Sequence, residues 1–226
     1  MKLVIFDCDG TLVDSQRAIV AAMNEAFESL ALMPPARSDV LAIVGLSLPE
    51  AFAALAPAQP SATRSELARR YKAAFAAARL NNVHDEPLFP GVSDMVTRLR
   101  HRDDIMLGIA TGKSRRGVQR LLDREGWQKQ FLTIQTADDH PSKPHPAMLL
   151  AAMAETSIGP DAAVMVGDST FDMTMARQAG VRAIGVAWGY HPPERLLAAG
   201  AYRIVVTFDD LLTAIDDRFP VREAHR

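Results

Sequence analysis

The sequence predicts an α/β protein: a doubly wound, Rossmann-like parallel-sheet core that carries an inserted α-helical segment. Short, continuously apolar runs recur along the chain and end in polar residues or glycine. Strands of this kind are buried on both faces, as in parallel sheets. Helical patterns fall between them, and that alternation builds an open α/β sheet. Gly126, Gly180 and Gly200 each follow a helical stretch, where a left-handed C-terminal residue is expected.

The first predicted strand, Lys2 to Phe6, runs directly into Asp7-Cys8-Asp9-Gly10-Thr11. Later strands are predicted at Ile105 to Ala110, Phe131 to Gln135, Ala162 to Val166, Val181 to Ala187 and Arg203 to Val206. The intervening helices are Val92 to Arg100, Ser114 to Glu125, Ala147 to Glu155, Phe171 to Ala179 and Glu194 to Ala199. The first two strands are too far apart for one crossover helix. Between them, Ile19, Met23, Phe27 and Leu30 share one helical face, as do Leu67, Tyr71, Phe75 and Ala78. Thr63 with Glu66 has the form of a capping box opening the second of these helices. Prolines at Pro34-Pro35, Pro49, Pro57 and Pro60 divide the segment into about four helices, and His84 to Pro90 reads as the return. The expected organisation is a core of residues 1–14 and 85–226 with a helical cap of residues 15–84. Because the segment leaves the core directly after the Asp7 loop, it is placed to cover a site there. The polar end, Arg218 to Arg226, is expected to fray.

With 48% hydrophobic and 23% charged residues, the 226-residue chain can bury a sizeable core. A formal net charge of −2 gives no field that would gather nucleic acid or an anionic membrane. The basic clusters Arg69-Arg70 and Lys113 to Arg116 read as solvated helix faces. The single cysteine, Cys8, excludes an intrachain disulfide, and the apolar N-terminal run is too short for a signal-peptide core. A cytoplasmic location is expected. No feature specifies an oligomeric state.

In open α/β sheets ligands bind beyond the carboxyl ends of the strands. Asp7 and Asp9 lie two apart at such an end and project to one side, and Gly167-Asp168 stands at another, with Asp172 shortly after. Converging carboxylates repel unless a cation relieves them, and magnesium is the usual occupant where a phosphate also binds. The Thr111 hydroxyl, the Gly112 amide and the Lys143 ammonium suit a phosphoryl group. Cys8, between the two aspartates, is expected to be a buried, inert thiol. Gly112-Lys113-Ser114 ends like a phosphate-binding P-loop, but that pattern needs a glycine where Leu107 stands.

Asp7-Cys8-Asp9-Gly10-Thr11-Leu12-Val13-Asp14-Ser15 resembles the first motif of the haloacid dehalogenase superfamily. Ala110-Thr111-Gly112-Lys113, Ser142-Lys143-Pro144 and Gly167-Asp168-Ser169-Thr170-Phe171-Asp172 are similar to its second, third and fourth motifs. Phe89-Pro90-Gly91-Val92 is similar to the family's return into the core. Trp188-Gly189-Tyr190, followed by Glu194 to Ala201, resembles the phosphoglycolate phosphatase branch. The resemblance implies a magnesium-dependent phosphatase in which Asp7 is the nucleophile and Asp9 the general acid, then base. It implies that Asp7, the backbone carbonyl of Asp9 and Asp168 hold the metal, and that Thr111, Gly112 and Lys143 bind the phosphoryl group. Asp172 would support the metal or orient Lys143. The implied substrate is a small phosphorylated metabolite, with phosphoglycolate as the leaning of the branch. A phosphosugar mutase, a pyrophosphatase and a non-catalytic binding module on the same fold are the alternatives. A haloalkanoate dehalogenase is disfavoured by Asp9. Arg37, Arg64, Arg69, Arg70 and Lys72 are the cap cations available to a substrate carboxylate, and Val44-Gly45-Leu46-Ser47 is either a turn facing the site or a helix end.

Overall fold

The protein is described by a computed structural model covering residues 1–80 and 86–219. Strand β1 (Lys2–Phe6) leads into four helices, α1 (Gln16–Glu28), α2 (Arg37–Ala42), α3 (Leu48–Leu55) and α4 (Ser61–Leu80). The chain then alternates through α5 (Val92–Arg100), β2 (Ile105–Thr111), α6 (Arg115–Glu125), β3 (Phe131–Thr136) and α7 (Ala147–Thr156). It finishes through β4 (Ala163–Gly167), α8 (Thr170–Gln178), β5 (Arg182–Val186), α9 (Pro193–Ala199), β6 (Arg203–Val205) and α10 (Phe208–Arg218).

Among the described residues, six parallel strands form one sheet in the order β3-β2-β1-β4-β5-β6. The order reverses beside β1, the arrangement of a doubly wound sheet. Alternation of side chains explains how these uniformly apolar strands bury both faces. Val4, Phe6, Leu107, Ile109, Val164 and Val166 pack on one face against α5, α6 and α10. Leu3, Ile5, Ala163 and Met165 pack on the other against α7, α8 and α9. Gly126, Gly180 and Gly200 all have positive φ, as expected after helices.

A third apolar cluster belongs to the inserted helices. Ile19, Met23 and Phe27 from α1 meet Phe52 from α3 and Leu67 from α4, with Tyr71 and Phe75 against them. Phe52 is fully buried, its ring 6.2 Å from those of both Phe27 and Tyr71. The outgoing and returning passages of this segment lie side by side. The Asp14 N–H donates to the Pro87 carbonyl at 2.8 Å, and the Phe89 N–H to that of Leu12 at 3.0 Å. Of the return expected from His84 to Pro90, His84 and Asp85 lie outside the described residues.

Two expectations are corrected and one helix is added. Thr63 and Glu66 form no capping box, because α4 already begins at Ser61; Glu66 instead binds Arg69 and Arg70 along the helix. Helix α10 is absent from the sequence reading, although Thr207 and Asp210 make a capping box at its start. Arg218 closes that helix and Phe219 is buried, so fraying does not begin there; residues 220–226 lie outside the described residues.

Phe52→Ala is expected to destabilise the inserted helices by about 3–5 kcal/mol, the usual cost of emptying a phenylalanine site. A lowered urea midpoint followed by circular dichroism checks this.

Candidate active site

The sheet places the site at its switch point. Phe6, the last residue of β1, is in register with Val166 of β4 on one side and Ile109 of β2 on the other. Asp7, Gly167-Asp168 and Thr111-Gly112 therefore leave three adjacent strands at the same edge. Lys143 reaches them from the connection between β3 and α7.

Three carboxylates converge here with little water. Among the described residues, Asp7, Asp168 and Asp172 each offer an oxygen within 4.8 Å of the others, and all three are buried. The buried Lys143 ammonium lies 2.6 Å from Asp172 Oδ1 and 3.1 Å from Asp7 Oδ1. Asp7 Oδ1 also accepts from the Cys8 N–H at 2.7 Å. Asp168 accepts from the Thr11 hydroxyl and from the Tyr190 N–H, both at 2.9 Å. These partners hold the carboxylates in place without cancelling them. Burial pushes the Asp7 carboxyl up to about 6, with Lys143 pulling down and Asp172 adding to the rise. Burial raises Asp168 well above the usual range, reinforced by Asp172 and Asp7. Burial opposes the charge of Lys143, but Asp172 and Asp7 outweigh it and raise its pKa. The site holds more negative charge than its one ammonium offsets, and hard oxygen donors of this kind suit a divalent cation.

Local geometry explains why these residue types stand here. Gly10 has φ +87°, and a side chain there would collide with the Asp168 carboxylate; one at Gly189 would strike the Asp168 side chain at its Cβ. Ser169 and Asp172 make a capping box at the start of α8, so Asp172 Oδ2 is tied to the Ser169 N–H and hydroxyl while Oδ1 faces Lys143. Asp172 thus faces Lys143 and also joins the acidic cluster. Thr111 is buried; its hydroxyl favours the charged form of Asp7 and accepts from the Lys113 N–H at 3.2 Å. Cys8 is fully buried, and burial pushes its thiol up, so it is inert as expected.

The Asp9 side chain lies outside the acidic cluster. Its Oδ1 accepts from the Ser15 hydroxyl at 2.6 Å and from Lys113 Nζ at 2.7 Å. Lys113 also reaches Glu86 at 2.7 Å, which corrects its reading as part of a solvated face. Arg69 and Arg70 behave as expected, exposed or half-buried beside Glu66. The Tyr190 hydroxyl accepts from the Ser15 N–H at 3.0 Å, closing a network from Asp9 through Ser15 to the loop that holds Asp168. Lys113, Ser15 and Tyr190 stand within the sequence motifs with no role assigned to them there, and Glu86 is not singled out. Lys113 adjoins Gly112, and that adjacency was the available signal; no spacing links Tyr190 to Ser15.

A cavity of about 630 Å³ opens above Asp7, Asp9, Thr111 and Gly112, roofed by α1, α3, α4 and the turn before α3. Val44-Gly45-Leu46-Ser47 is that turn, and it faces the site. A Cβ on Gly112 would lie 2.6 Å from the Gly45 carbonyl oxygen, so the two loops meet backbone to backbone. The Ser47 N–H donates to Ser142 Oγ at 2.7 Å. His191 accepts from the Thr170 N–H at Nδ1 and so donates from Nε2 to the Ala42 carbonyl, both at 3.1 Å. Of the five cap cations considered, Lys72 alone borders the cavity among the described residues.

Comparison with known proteins agrees with this geometry. Residues 4–186 match the family described as haloacid dehalogenase-like hydrolase. The chain belongs to that family. The hydrolase is 39% identical over 217 residues to "Probable phosphatase IndB" of Dickeya dadantii (strain 3937), spanning 94% of this chain and 92% of the relative. It is 32% identical to a phosphoglycolate phosphatase of Synechococcus elongatus, spanning 95% and 97% of the two chains. A crystal structure of a hydrolase from Pseudomonas syringae superposes with a TM-score of 0.84 at 26% identity, covering 96% of this chain and 99% of that one. The doubly wound core of the hydrolase is thus shared with its relatives. No helix among its described residues is long and apolar enough to cross a membrane.

Because Lys143 lowers the Asp7 pKa, Lys143→Met is expected to raise it further above about 6 in the metal-free hydrolase. Titration of carboxyl-labelled aspartate by NMR checks the direction.

Proposed function

We propose that this hydrolase is a magnesium-dependent phosphatase that cleaves a small phosphomonoester through a phospho-aspartate on Asp7. The observation that carries the reading is the buried Lys143 ammonium between Asp7 and Asp172, with Asp168 beside them at adjacent strand ends. Within it, residues 1–14 and 85–226 act as the core and 15–84 as a cap over the cavity. The lone cysteine, which can form no intrachain disulfide, fits a cytoplasmic location.

The residues divide the chemistry between them. Asp7 attacks phosphorus in line, its Oδ1 positioned by the Cys8 N–H and Lys143. Thr111, the Gly112 amide and Lys143 hold the phosphoryl oxygens as charge shifts towards them. Asp9 borders the cavity away from the acidic cluster, where it protonates the leaving oxygen and then takes a proton from the water that releases phosphate. Asp7, the Asp9 carbonyl and Asp168 would hold magnesium, which supplies the positive charge that lets an anionic nucleophile approach a phosphate dianion. The acidic cluster fits that ion because its donors are buried oxygens carrying more charge than Lys143 balances.

Asp7→Asn is expected to abolish phosphate release with the fold retained, and Asp9→Asn to slow it roughly 10²–10⁴-fold. A phosphate-release assay on both variants, beside circular dichroism, decides the assignment; wild-type rates for Asp7→Asn would sink it. Chelation should remove activity and added magnesium restore it. Protons compete with the metal for Asp7, whose carboxyl titrates at about 6 without it. Asp168, whose carboxyl burial also raises, competes in the same way, so magnesium affinity by calorimetry should weaken as pH falls through about 6, by up to ~10-fold per pH unit for each proton displaced.

A further inference from the structure

Resting on the phosphatase reading, we propose that the preferred ester carries a bulky, ring-bearing apolar alcohol rather than a two-carbon carboxylate. The cavity has two chemically opposed walls. The floor presents Asp7, Asp9 and Thr111 to the phosphate, whereas the roof offers Ile19, Met23, Leu46, Leu48, Tyr71 and Phe75. Tyr71 and Phe75 lie with ring centroids 5.6 Å apart and planes 31° apart, forming a continuous aromatic surface.

This roof has little to give a carboxylate. Among the described residues, its one charged side chain on the cavity is Lys72, which is exposed at the opening. The Ser47 hydroxyl is engaged by Glu50, and the Lys113 ammonium by Asp9 and Glu86 at 2.7 Å each. Arg116 and Arg120 of α6 also border the cavity, but both are exposed and belong to the core side, so a carboxylate pressed against the roof would lose its water among apolar side chains, which is unfavourable. An apolar body in the same place is favoured in proportion to the area it buries. The volume of about 630 Å³ falls within the roughly 300–1,000 Å³ of pockets that hold drug-sized ligands. The exposed Lys72, Arg116 and Arg120 border the cavity, where their charge attracts the phosphate dianion.

The test compares kcat/KM for benzyl phosphate, cyclohexylmethyl phosphate and 2-phosphoglycolate with magnesium present. All three release primary alcohols, so differences report mainly the fit of the leaving group. The two apolar esters are expected to exceed phosphoglycolate by ~10-fold or more, chiefly through KM. Equal or better turnover of phosphoglycolate overturns the proposal. Leu48→Lys should reduce the preference ~10-fold and Leu48→Ala should reduce it less; an unchanged ratio in both folded variants also overturns it. p-Nitrophenyl phosphate separates this from the parent reading. If it is cleaved while the preference is absent, only the substrate class fails; if no ester is cleaved, the phosphatase reading fails.

Discussion

A buried ammonium held between two of three converging buried carboxylates is the constraint around which this molecule is arranged. Lys143 contacts Asp7 and Asp172 with almost no solvent to screen them, so each group depends on the others remaining charged and in place. The neighbouring features serve that arrangement. Gly10 and Gly189 leave room for the Asp168 side chain, and the capping box at α8 spends one oxygen of Asp172 on the helix so that the other faces Lys143. The parallel pairing of β1 with β2 and β4 sets these residues side by side. An imbalance of charge that is costly to folding is what makes the pocket receptive to a cation.

The inserted helices meet this charged floor through backbone as much as through side chains. Gly45 against Gly112, Ser47 to Ser142 and His191 to Ala42 all use main-chain atoms. Contacts of that type tolerate change in the surrounding side chains. They hold the roof in register with the floor while leaving its apolar lining free to vary.

The core was largely legible because its signals are local. Continuous apolar runs, glycines after helices and short motifs at strand ends located the six strands and brought Asp7, Thr111, Lys143, Asp168 and Asp172 to one edge. What escaped depends on distant partners. Lys113 reads as a solvated lysine until Asp9 and Glu86 are placed on either side of it, and Tyr190 meets Ser15 across 175 positions. Thr63 and Glu66 have the right spacing for a cap, but the helix had already started after Pro60. Helix α10 is absent from the sequence reading although Thr207, Asp209 and Asp210 mark its start and Leu211, Leu212 and Ile215 share its buried face.

The paired passages at Leu12–Asp14 and Pro87–Phe89 carry a consequence for how such a protein can diversify. Since the chain departs and comes back through hydrogen-bonded neighbours, everything between them is a loop as far as the sheet is concerned. The entropy of closing a loop grows only slowly with its length, so helices there can be lengthened, shortened or replaced while the strands keep their register. The sheet and the inserted helices are thus separately replaceable stretches of one polypeptide, joined at a seam three residues wide on the outgoing passage.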